Sequence, residues 1–311
     1  MSAPIVETLD LTKVYNGTPV VDKLNLQVAE GELFGFLGPN GAGKTTTILM
    51  LLGLTEPSSG TARIAEYNPT REPLKVKRVT GYVPEKVGFY EDLSARDNLA
   101  YTGRLNGLPE KEIAGRLADS LKVVGLSDVA NRNVSTFSHG MKQRLAIADV
   151  LVKMPRVAIL DEPTLGIDPE GARGILDIIG KIARERGMTI IMSSHQLHHV
   201  QQICTRVGIM SQGKLVVEGA VDQLGRQALG GGQYKIEIEL EEVTESIVGA
   251  IRKIPGVVSV EQSGCILTVS GKEDLRSRIA KVIVESGGLL VQMKIQSYAL
   301  EDIYHKYFTE G

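Results

Sequence analysis

Residues 38–45 combine glycines, a lysine and a threonine at the spacing G-x-x-x-x-G-K-[ST]. Glycines at these positions let backbone N–H groups turn inward around phosphate oxygens, and the lysine reaches the outer phosphates. The threonine hydroxyl can hold Mg²⁺, and the following helix directs its positive end at the anion. The spacing predicts a nucleotide-phosphate site formed by Gly38, Pro39, Asn40, Gly41, Ala42, Gly43, Lys44, Thr45 and Thr46.

Two alternatives for this segment are weaker. A glycine-rich surface turn does not explain why the motif lies between an apolar strand and an apolar helix, which is the context that phosphate binding requires. A dinucleotide-binding turn needs the spacing G-x-G-x-x-G, and GPNGAG does not provide it.

A second candidate is the pair of adjacent carboxylates Asp161 and Glu162, which ends the apolar run Val157–Leu160. Neighbouring side chains of an extended chain point to opposite sides, so the two are expected to do different work. We expect Asp161 to bind Mg²⁺ through water and Glu162 to orient and deprotonate an attacking water. Alone, the pair also fits a solvated acidic turn before Pro163; its place behind a phosphate loop favours catalysis.

Further polar residues lie at the ends of predicted elements. Ser138 begins an apolar-faced helix, where its hydroxyl and the Gly140 N–H can present donors to a phosphate or act as an ordinary helix cap. His195 follows an apolar strand and is a candidate to contact a γ-phosphate or the attacking water, with a capping role as the alternative. His195, His198 and His199 also form an HxxHH cluster, for which a zinc site is a further alternative without a paired acidic or thiolate ligand.

The elements that must position these residues alternate between strand and helix. Apolar and β-branched runs predict strands at Ile5–Leu11, Val20–Val28, Leu33–Leu37, Val157–Leu160 and Thr189–Met192. Helices are predicted at Thr47–Leu54, at Ile175–Ile182 with an end near Gly187, and around Ile113, Leu117, Leu121 and Val124, which share one helical face. The alternation predicts an α/β core with a mainly parallel sheet.

The C-terminal part of the chain predicts a second, smaller domain. Gly230-Gly231-Gly232 indicates a hinge or boundary before it. Strands are predicted at Tyr234–Leu240, Val257–Glu261, Ile266–Val269 and Leu289–Ile295, and helices at Ser246–Ile254, Leu275–Glu285 and Asp302–Phe308. The order βαββαβ favours a ferredoxin-like α+β fold.

Composition excludes several classes of protein. The chain has 311 residues, of which 42% are hydrophobic and 23% charged, which is typical of a globular protein and not of a disordered one. Its net charge of −2 gives no reason to expect nucleic acid or anionic lipid as a partner. Two cysteines are too few for a disulfide framework and indicate a reducing compartment. We expect no signal peptide and no membrane-spanning segment, so any action at a membrane would go through an embedded partner.

Further motifs carry a resemblance to a known family. Residues Phe137–Leu145 (FSHGMKQRL) resemble the signature motif of ATP-binding cassette (ABC) ATPases, in the variant with Met where many members have Gln. Gly81–Glu85 is similar to the family's Q-loop region, Asp161–Thr164 to its Walker B stretch, Gly166–Pro169 to its D-loop and Ser193–His195 to its switch histidine. These elements follow the phosphate loop in the family's order.

The resemblance implies roles for several residues. Tyr15 stands where the family places an aromatic ring against adenine, although a surface-loop tyrosine is the alternative. Ser138 and Gly140 would meet the γ-phosphate bound by a second copy, and Asp168 of the D-loop would lie at the nucleotide. Because the chain holds one phosphate loop and one signature, a complete site implies a head-to-tail homodimer with two nucleotides between its copies.

Glu85 departs from the commonest family pattern, which has glutamine at this position. A carboxylate there can still coordinate Mg²⁺, but it adds negative charge near the γ-phosphate. Glu85, Gly88-Phe89-Tyr90 and the signature together look most like the branch that energises ABC-2-type exporters.

The resemblance therefore implies an ATPase subunit that uses ATP and Mg²⁺ and drives a separately encoded integral membrane permease, from a cytoplasmic position at the inner face of the membrane. It implies a P-loop ATPase core in residues 1–229, with an N-terminal antiparallel β part and a helical subdomain at about 86–154, and an accessory domain in 233–311. One alternative is a soluble ABC-type ATPase with a regulatory role. Another is a ligand sensor whose C-terminal domain is the receptor, against which we favour a dimer-stabilising appendage.

Overall fold

The computed structural model describes residues 4–229 and 233–295, together with Leu300 and Tyr304. The chain divides into two compact units, Met1–Glu218 and Gly219–Gly311. Among the described residues, no helix is both long enough and apolar enough to cross a membrane.

The first unit contains two sheets. The strands are β1 (Val6–Tyr15), β2 (Thr18–Val28), β3 (Leu33–Leu37), β4 (Ser59–Ile64), β5 (Thr80–Val83), β6 (Val157–Asp161), β7 (Thr189–Ser194), β8 (Arg206–Ser211) and β9 (Lys214–Ala220). An antiparallel sheet has the order β2-β1-β4, and a six-stranded sheet has the order β5-β6-β7-β3-β8-β9. The pairs β3–β7, β3–β8, β5–β6 and β6–β7 are parallel, which confirms the α/β core with an N-terminal antiparallel part.

The helices of the first unit follow these strands. They are α1 (Lys44–Leu51), α2 (Pro73–Val79), α3 (Ala95–Leu105), α4 (Glu110–Val123), α5 (His139–Lys153), α6 (Pro169–Arg186) and α7 (Leu197–Ile203). The predicted apolar face of α4 is buried at Ile113, Leu117 and Leu121. Gly187 ends α6 in the left-handed conformation, as the sequence indicates.

The helix after the phosphate loop differs from its prediction. The apolar run favours Thr47–Leu54, whereas α1 begins at Lys44 and ends at Leu51. Gly43 takes a left-handed conformation at the N-cap, so the helix starts immediately after it. The loop therefore delivers its backbone N–H groups directly into the first turn.

Three adjacent central strands explain how distant sequence segments meet. All residues of β3, β6 and β7 are buried, which is why they read as continuous apolar runs. They lie side by side in the order β6-β7-β3 and run parallel. Their carboxyl ends therefore form one edge, where ligands bind in open α/β sheets.

The packing of α7 against β3 depends on a glycine. A Cβ atom built on Gly35 would lie 2.2 Å from Cγ1 of Val200 and 3.4 Å from Sγ of Cys204. Cys204 is buried, and burial raises the pKa of its thiol. The missing side chain therefore lets α7 pack directly against β3.

The second unit contains α8 (Val221–Leu229) and a small α+β fold. Its other elements are β10 (Tyr234–Leu240), α9 (Glu245–Arg252), β11 (Val257–Ser263), β12 (Ile266–Gly271), α10 (Arg276–Glu285) and β13 (Leu290–Ile295). The antiparallel sheet has the order β11-β12-β10-β13, which is the ferredoxin-like arrangement. The interior includes Ile236, Ile238, Ile251, Leu267 and Ile279. Cys265, between β11 and β12, is exposed.

Two expectations fall outside the described residues. The proposed hinge at Gly230-Gly231-Gly232 is one of them. The predicted terminal helix at Asp302–Phe308 is the other, apart from Tyr304. Both remain predictions.

Candidate active site at the carboxyl edge of the parallel sheet

The loop between β3 and α1 forms a cavity of about 270 Å³. Its lining consists of Val20, Pro39, Asn40, Gly41, Ala42, Gly43, Lys44, Thr45, Thr46, Glu85 and Glu162. Cavities of about 660 and 530 Å³ lie elsewhere in the unit, but their linings include neither the glycine loop nor the carboxylate pair. The chemistry of the lining therefore identifies the smaller cavity as the candidate site.

The ammonium group of Lys44 is held at the floor of this cavity. It donates to the carbonyl of Gly38 at 2.7 Å and to that of Pro39 at 3.3 Å, and it lies 3.6 Å from Oε1 of Glu162. Burial lowers the pKa of Lys44, and the carboxylates of Glu162, Asp161 and Glu85 act in the opposite direction. The loop carbonyls therefore orient the Lys44 ammonium, which is expected to bind phosphate in the same loop.

Asp161 connects the sheet edge to α1. Its Oδ2 accepts a hydrogen bond from the Thr45 hydroxyl at 3.1 Å, and its Oδ1 accepts one from the Ser193 hydroxyl at 2.5 Å. Asp161 is 1% exposed. A carboxylate and a hydroxyl in contact are the oxygen ligands that Mg²⁺ takes beside nucleotide phosphates.

Glu162 follows β6 and has a backbone conformation that is uncommon for its type. Its φ is 49°, in the left-handed region. The side chain is buried, and its Oε2 accepts a hydrogen bond from Nδ1 of His195 at 2.9 Å. Its Oε1 has no hydrogen-bond partner, and its nearest cation is the Lys44 ammonium. A buried carboxylate oxygen without a donor is suited to accept a proton from a water beside the phosphate loop.

These observations test whether the residues fit MgATP. The orphaned Oε1 of Glu162 lies 3.6 Å from the Lys44 ammonium. Among the described contacts, that ammonium donates hydrogen bonds only to the carbonyls of Gly38 and Pro39. A Cβ atom on Gly41 would meet nothing within 4 Å, so the middle of the loop faces open space. A phosphate in that space would accept hydrogen bonds from the Lys44 ammonium and from the loop N–H groups. The residues of the cavity therefore fit the phosphates of MgATP.

The signature segment and the D-loop contact each other. Ser138 caps α5, its hydroxyl accepting from the N–H of Met141 at 3.3 Å, and Asp168 caps α6, its Oδ1 accepting from the N–H of Gly171 at 2.9 Å. The Nε2–H of His139 donates to the carbonyl of Leu165 at 3.1 Å. The two helix N-termini are thus joined to each other and not to the phosphate cavity.

Comparison with known proteins gives the family. Residues 21–165 match the family described as ABC transporter. Bacitracin transport ATP-binding protein BcrA of Bacillus licheniformis is 37% identical over 308 residues, which cover 99% of this chain and 98% of that protein. The chain belongs to the ABC transporter family. Linearmycin resistance ATP-binding protein LnrL of Bacillus subtilis is 36% identical over 256 residues, covering 82% of this chain and 81% of that protein.

Solved structures agree with this assignment. A structure described as the ATP-binding subunit of an ABC transporter has a TM-score of 0.65 and 31% identity, and covers 72% of this chain and 92% of its own. The chain is an ATP-binding and ATP-hydrolysing subunit of an ABC transporter, most similar to the exporter type. The relatives are named for transport and resistance, which gives no support to the alternative of a soluble regulatory ATPase.

Some residues expected at the ABC site do not line its cavity. Tyr15 lies at the end of β1 and is 47% exposed, with the Lys13 ammonium 5.0 Å from its ring centroid. It shares the β1–β2 hairpin with Val20, which does line the cavity. Ser138, Gly140, Asp168 and His195 also lie outside the lining, although His195 reaches it through Glu162.

The histidine cluster does not have the geometry that the zinc alternative needs. His195 lies before α7, so it is not one helical turn from His199, which bonds Thr164 at 3.0 Å. Burial lowers the pKa of His199, and His198 acts in the same direction. Among the described residues, no group of three His, Cys, Asp or Glu side chains is placed to hold a metal.

Sequence reasoning missed Ser193 and the Thr164–His199 pair as parts of the site. Ser193 lies in an apolar strand, and its hydroxyl contacts both carboxylate residues only because β6 and β7 are neighbours. Strand pairing supplies that information, and no local spacing encodes it.

Proposed function

We propose that the chain hydrolyses MgATP at this site, between two head-to-tail copies, and drives a separately encoded membrane permease that exports an antibiotic-type compound. The observation that carries the proposal is the buried Glu162 carboxylate, one oxygen on His195 and the other unpartnered beside Lys44. The proposed substrate class follows relatives named for bacitracin transport and for resistance to linearmycin and daunorubicin/doxorubicin.

In the proposed reaction, Glu162 takes the proton of a water that attacks the γ-phosphorus of ATP. The new bond joins the water oxygen to that phosphorus, the bond to the β-phosphate oxygen breaks, and ADP and phosphate are the products. Lys44 and the loop N–H groups bind the phosphates, and His195 orients Glu162 through the hydrogen bond at 2.9 Å. Tyr15 is proposed to stack on adenine.

Thr45, Asp161 and Glu85 are the residues that would hold Mg²⁺. The ion supplies charge neutralisation on the phosphates when it is bound. Glu85 is exposed and lines the cavity together with the loop, so its oxygen has room to approach such a cation.

Replacement of the proposed base tests the mechanism. Glu162→Gln is expected to keep ATP binding and to lower hydrolysis by about 10²–10⁴-fold, because the amide cannot accept the proton. The matched control is Glu285→Gln, the same change at an exposed glutamate of α10 outside the cavity lining, which is expected to keep parental turnover. Phosphate release and fluorescent-nucleotide binding measure the two properties. Parental turnover in Glu162→Gln would refute the assignment.

The homodimer is proposed because Ser138, Gly140 and Asp168 lie outside the cavity lining of their own chain. A second copy, related by two-fold symmetry, would bring its Ser138 to the nucleotide bound by Lys44 of the first. Mixing Ser138→Ala and Lys44→Ala subunits tests this, since each heterodimer keeps one intact site. Random mixing makes half of the dimers heterodimers with one of two sites, so about one quarter of the parental activity should return. If the mixture has only the mean activity of the unmixed Ser138→Ala and Lys44→Ala proteins, a shared site is contradicted.

The permease and the position at the inner face of the membrane rest on family membership. ABC cassettes act on membrane subunits, and CbiO1 of Clostridium perfringens, a structural relative, is described as part of the ABC transporter complex CbiONQ. Purification of the tagged chain from detergent-solubilised membranes should recover an integral membrane protein in stoichiometric amount. Recovery of the chain without such a partner, under conditions that preserve ATPase activity, would count against the proposal.

A further inference from the structure

Ser193 joins the two carboxylate residues of the site. It is fully buried in β7, beside Asp161 in the parallel register of β6 and β7. Its hydroxyl donates its one proton to Oδ1 of Asp161 at 2.5 Å and accepts from the N–H of Glu162 at 3.1 Å. The Ser193 carbonyl accepts from the same N–H at 3.2 Å.

The first of these bonds orients the Asp161 carboxylate. With Oδ1 engaged by Ser193, the other oxygen, Oδ2, is directed at the Thr45 hydroxyl, 3.1 Å away. Rotation of the carboxylate would break both bonds. The buried hydroxyl thus fixes the orientation of the carboxylate plane, with one oxygen on Ser193 and the other facing α1.

The second bond holds the backbone of Glu162. A left-handed conformation at a residue other than glycine costs about 1–2 kcal/mol, and it persists only where surrounding contacts impose it. The N–H of Glu162 is shared between the hydroxyl and the carbonyl of Ser193. In this conformation, the Glu162 side chain reaches both Lys44 and His195.

We propose that Ser193 is a positioning residue that sets both carboxylates for the reaction, one toward the metal-holding threonine and one toward the attacking water. The inference rests on the proposed function. Ser193 touches neither the cavity nor the reacting atoms; it acts through Asp161 and Glu162. Residues that orient metal ligands in this way typically change metal affinity or activity by about 10–100-fold when they are replaced.

The experiment uses two variants of the full chain. Ser193→Ala removes the hydroxyl, and Ser193→Thr retains it. The matched control is Thr189→Val, which removes a buried hydroxyl from the other end of the same strand, where it accepts from the N–H of Gly31 at 2.8 Å. Three quantities are measured for each variant: kcat, the Mg²⁺ concentration that gives half-maximal kcat, and the binding of a fluorescent ATP analogue with Mg²⁺ or with EDTA. Tm is recorded to follow folding.

Ser193→Ala is expected to lower kcat about 10–100-fold and to raise the half-maximal Mg²⁺ concentration several-fold. It should weaken analogue binding with Mg²⁺, while binding in EDTA stays within about twofold, because the phosphate loop is untouched. Ser193→Thr should restore most of both losses, and Thr189→Val should match the parent in kcat and in Mg²⁺ dependence. If Ser193→Ala is recovered unfolded, Ser193→Cys, with its weaker donor, carries the same expectations.

A loss of kcat with unchanged Mg²⁺ dependence, or equal losses in Ser193→Ala and Thr189→Val, would overturn the inference. The proposed function fails separately, if Glu162→Gln hydrolyses ATP like the parent. If Glu162→Gln is inactive while Ser193→Ala behaves like Thr189→Val, only the role of Ser193 is rejected.

Discussion

Gly43 constrains the geometry of the phosphate loop through both its conformation and a close contact. Its φ is 102°, and a Cβ atom there would lie 2.5 Å from the backbone carbonyl of Val20. Gly41 has a φ of 81°, but a Cβ atom would enter open space. One glycine is therefore required by both conformation and contact, and the other by conformation alone.

This difference predicts unequal effects of the same substitution. Gly41→Ala should destabilise the first unit by about 1–2 kcal/mol through strain. Gly43→Ala should cost about 3–5 kcal/mol, because the Val20 backbone must move as well, and should abolish nucleotide binding. Thermal unfolding and fluorescent-nucleotide titration measure both. Equal shifts in Tm for the two variants would show that the close contact is not energetically important.

At the scale of single residues, sequence spacing predicts the chemical role of a site residue better than it predicts the contacts that the residue makes. Asp161 and Glu162 do make different contacts, as strand alternation predicts. The physical cause is different, however, because β6 ends at Asp161 and Glu162 turns into the left-handed region. Ser193 could not be recognised, since a serine in an apolar strand has no local signal for its neighbour.

At the scale of elements, α7 and β3 are packed as closely as their side chains allow. Val200 of α7 contacts the position where Gly35 lacks a side chain, and α7 begins two residues after His195. Any displacement of α7 would therefore move the histidine that bonds Glu162. The sequence predicts β3 with its observed bounds, Leu33–Leu37, but it does not predict α7.

Two glycine-to-alanine changes in this region should have opposite signs. Gly35→Ala places a methyl group 2.2 Å from Val200 Cγ1, and overpacking should cost about 1–3 kcal/mol and lower Tm. Gly174→Ala, on the exposed side of α6 with nothing within 4 Å, should stabilise by about 0.5–1 kcal/mol through helix propensity. Differential scanning fluorimetry resolves the signs. A rise in Tm for Gly35→Ala would show that α7 can shift freely.

At the scale of the whole molecule, each of the two units has an apolar interior of its own among the described residues. One includes Phe36, Ile48 and Ile159 around the central sheet, and the other includes Ile238, Ile251 and Leu267 in the ferredoxin-like fold. The sequence predicts the order of strands and helices along the second unit, βαββαβ, because each of its strands is short, regular and bounded by turns. We propose that residues 1–229 act as the nucleotide-binding domain and 233–311 as an accessory domain that stabilises the dimer.

Separate interiors predict that nucleotide stabilises one unit and not the other. Ligand at 100 times its Kd adds about 2.7 kcal/mol to the unit that binds it. Calorimetry of the full chain with Glu162→Gln, which prevents turnover, should show one transition that moves upward with MgATP and one that does not. A single transition that shifts as a whole would indicate that the two interiors unfold together.

The two cysteines differ in a way that makes the native chain a ready reporter. Cys204 is buried and its thiol pKa is raised, whereas Cys265 is exposed on the small domain. A maleimide dye will therefore attach to Cys265 and leave Cys204 unlabelled while the protein stays folded. Two such dyes in a mixed sample would follow by energy transfer whether the small domains of two copies come together when ATP is added.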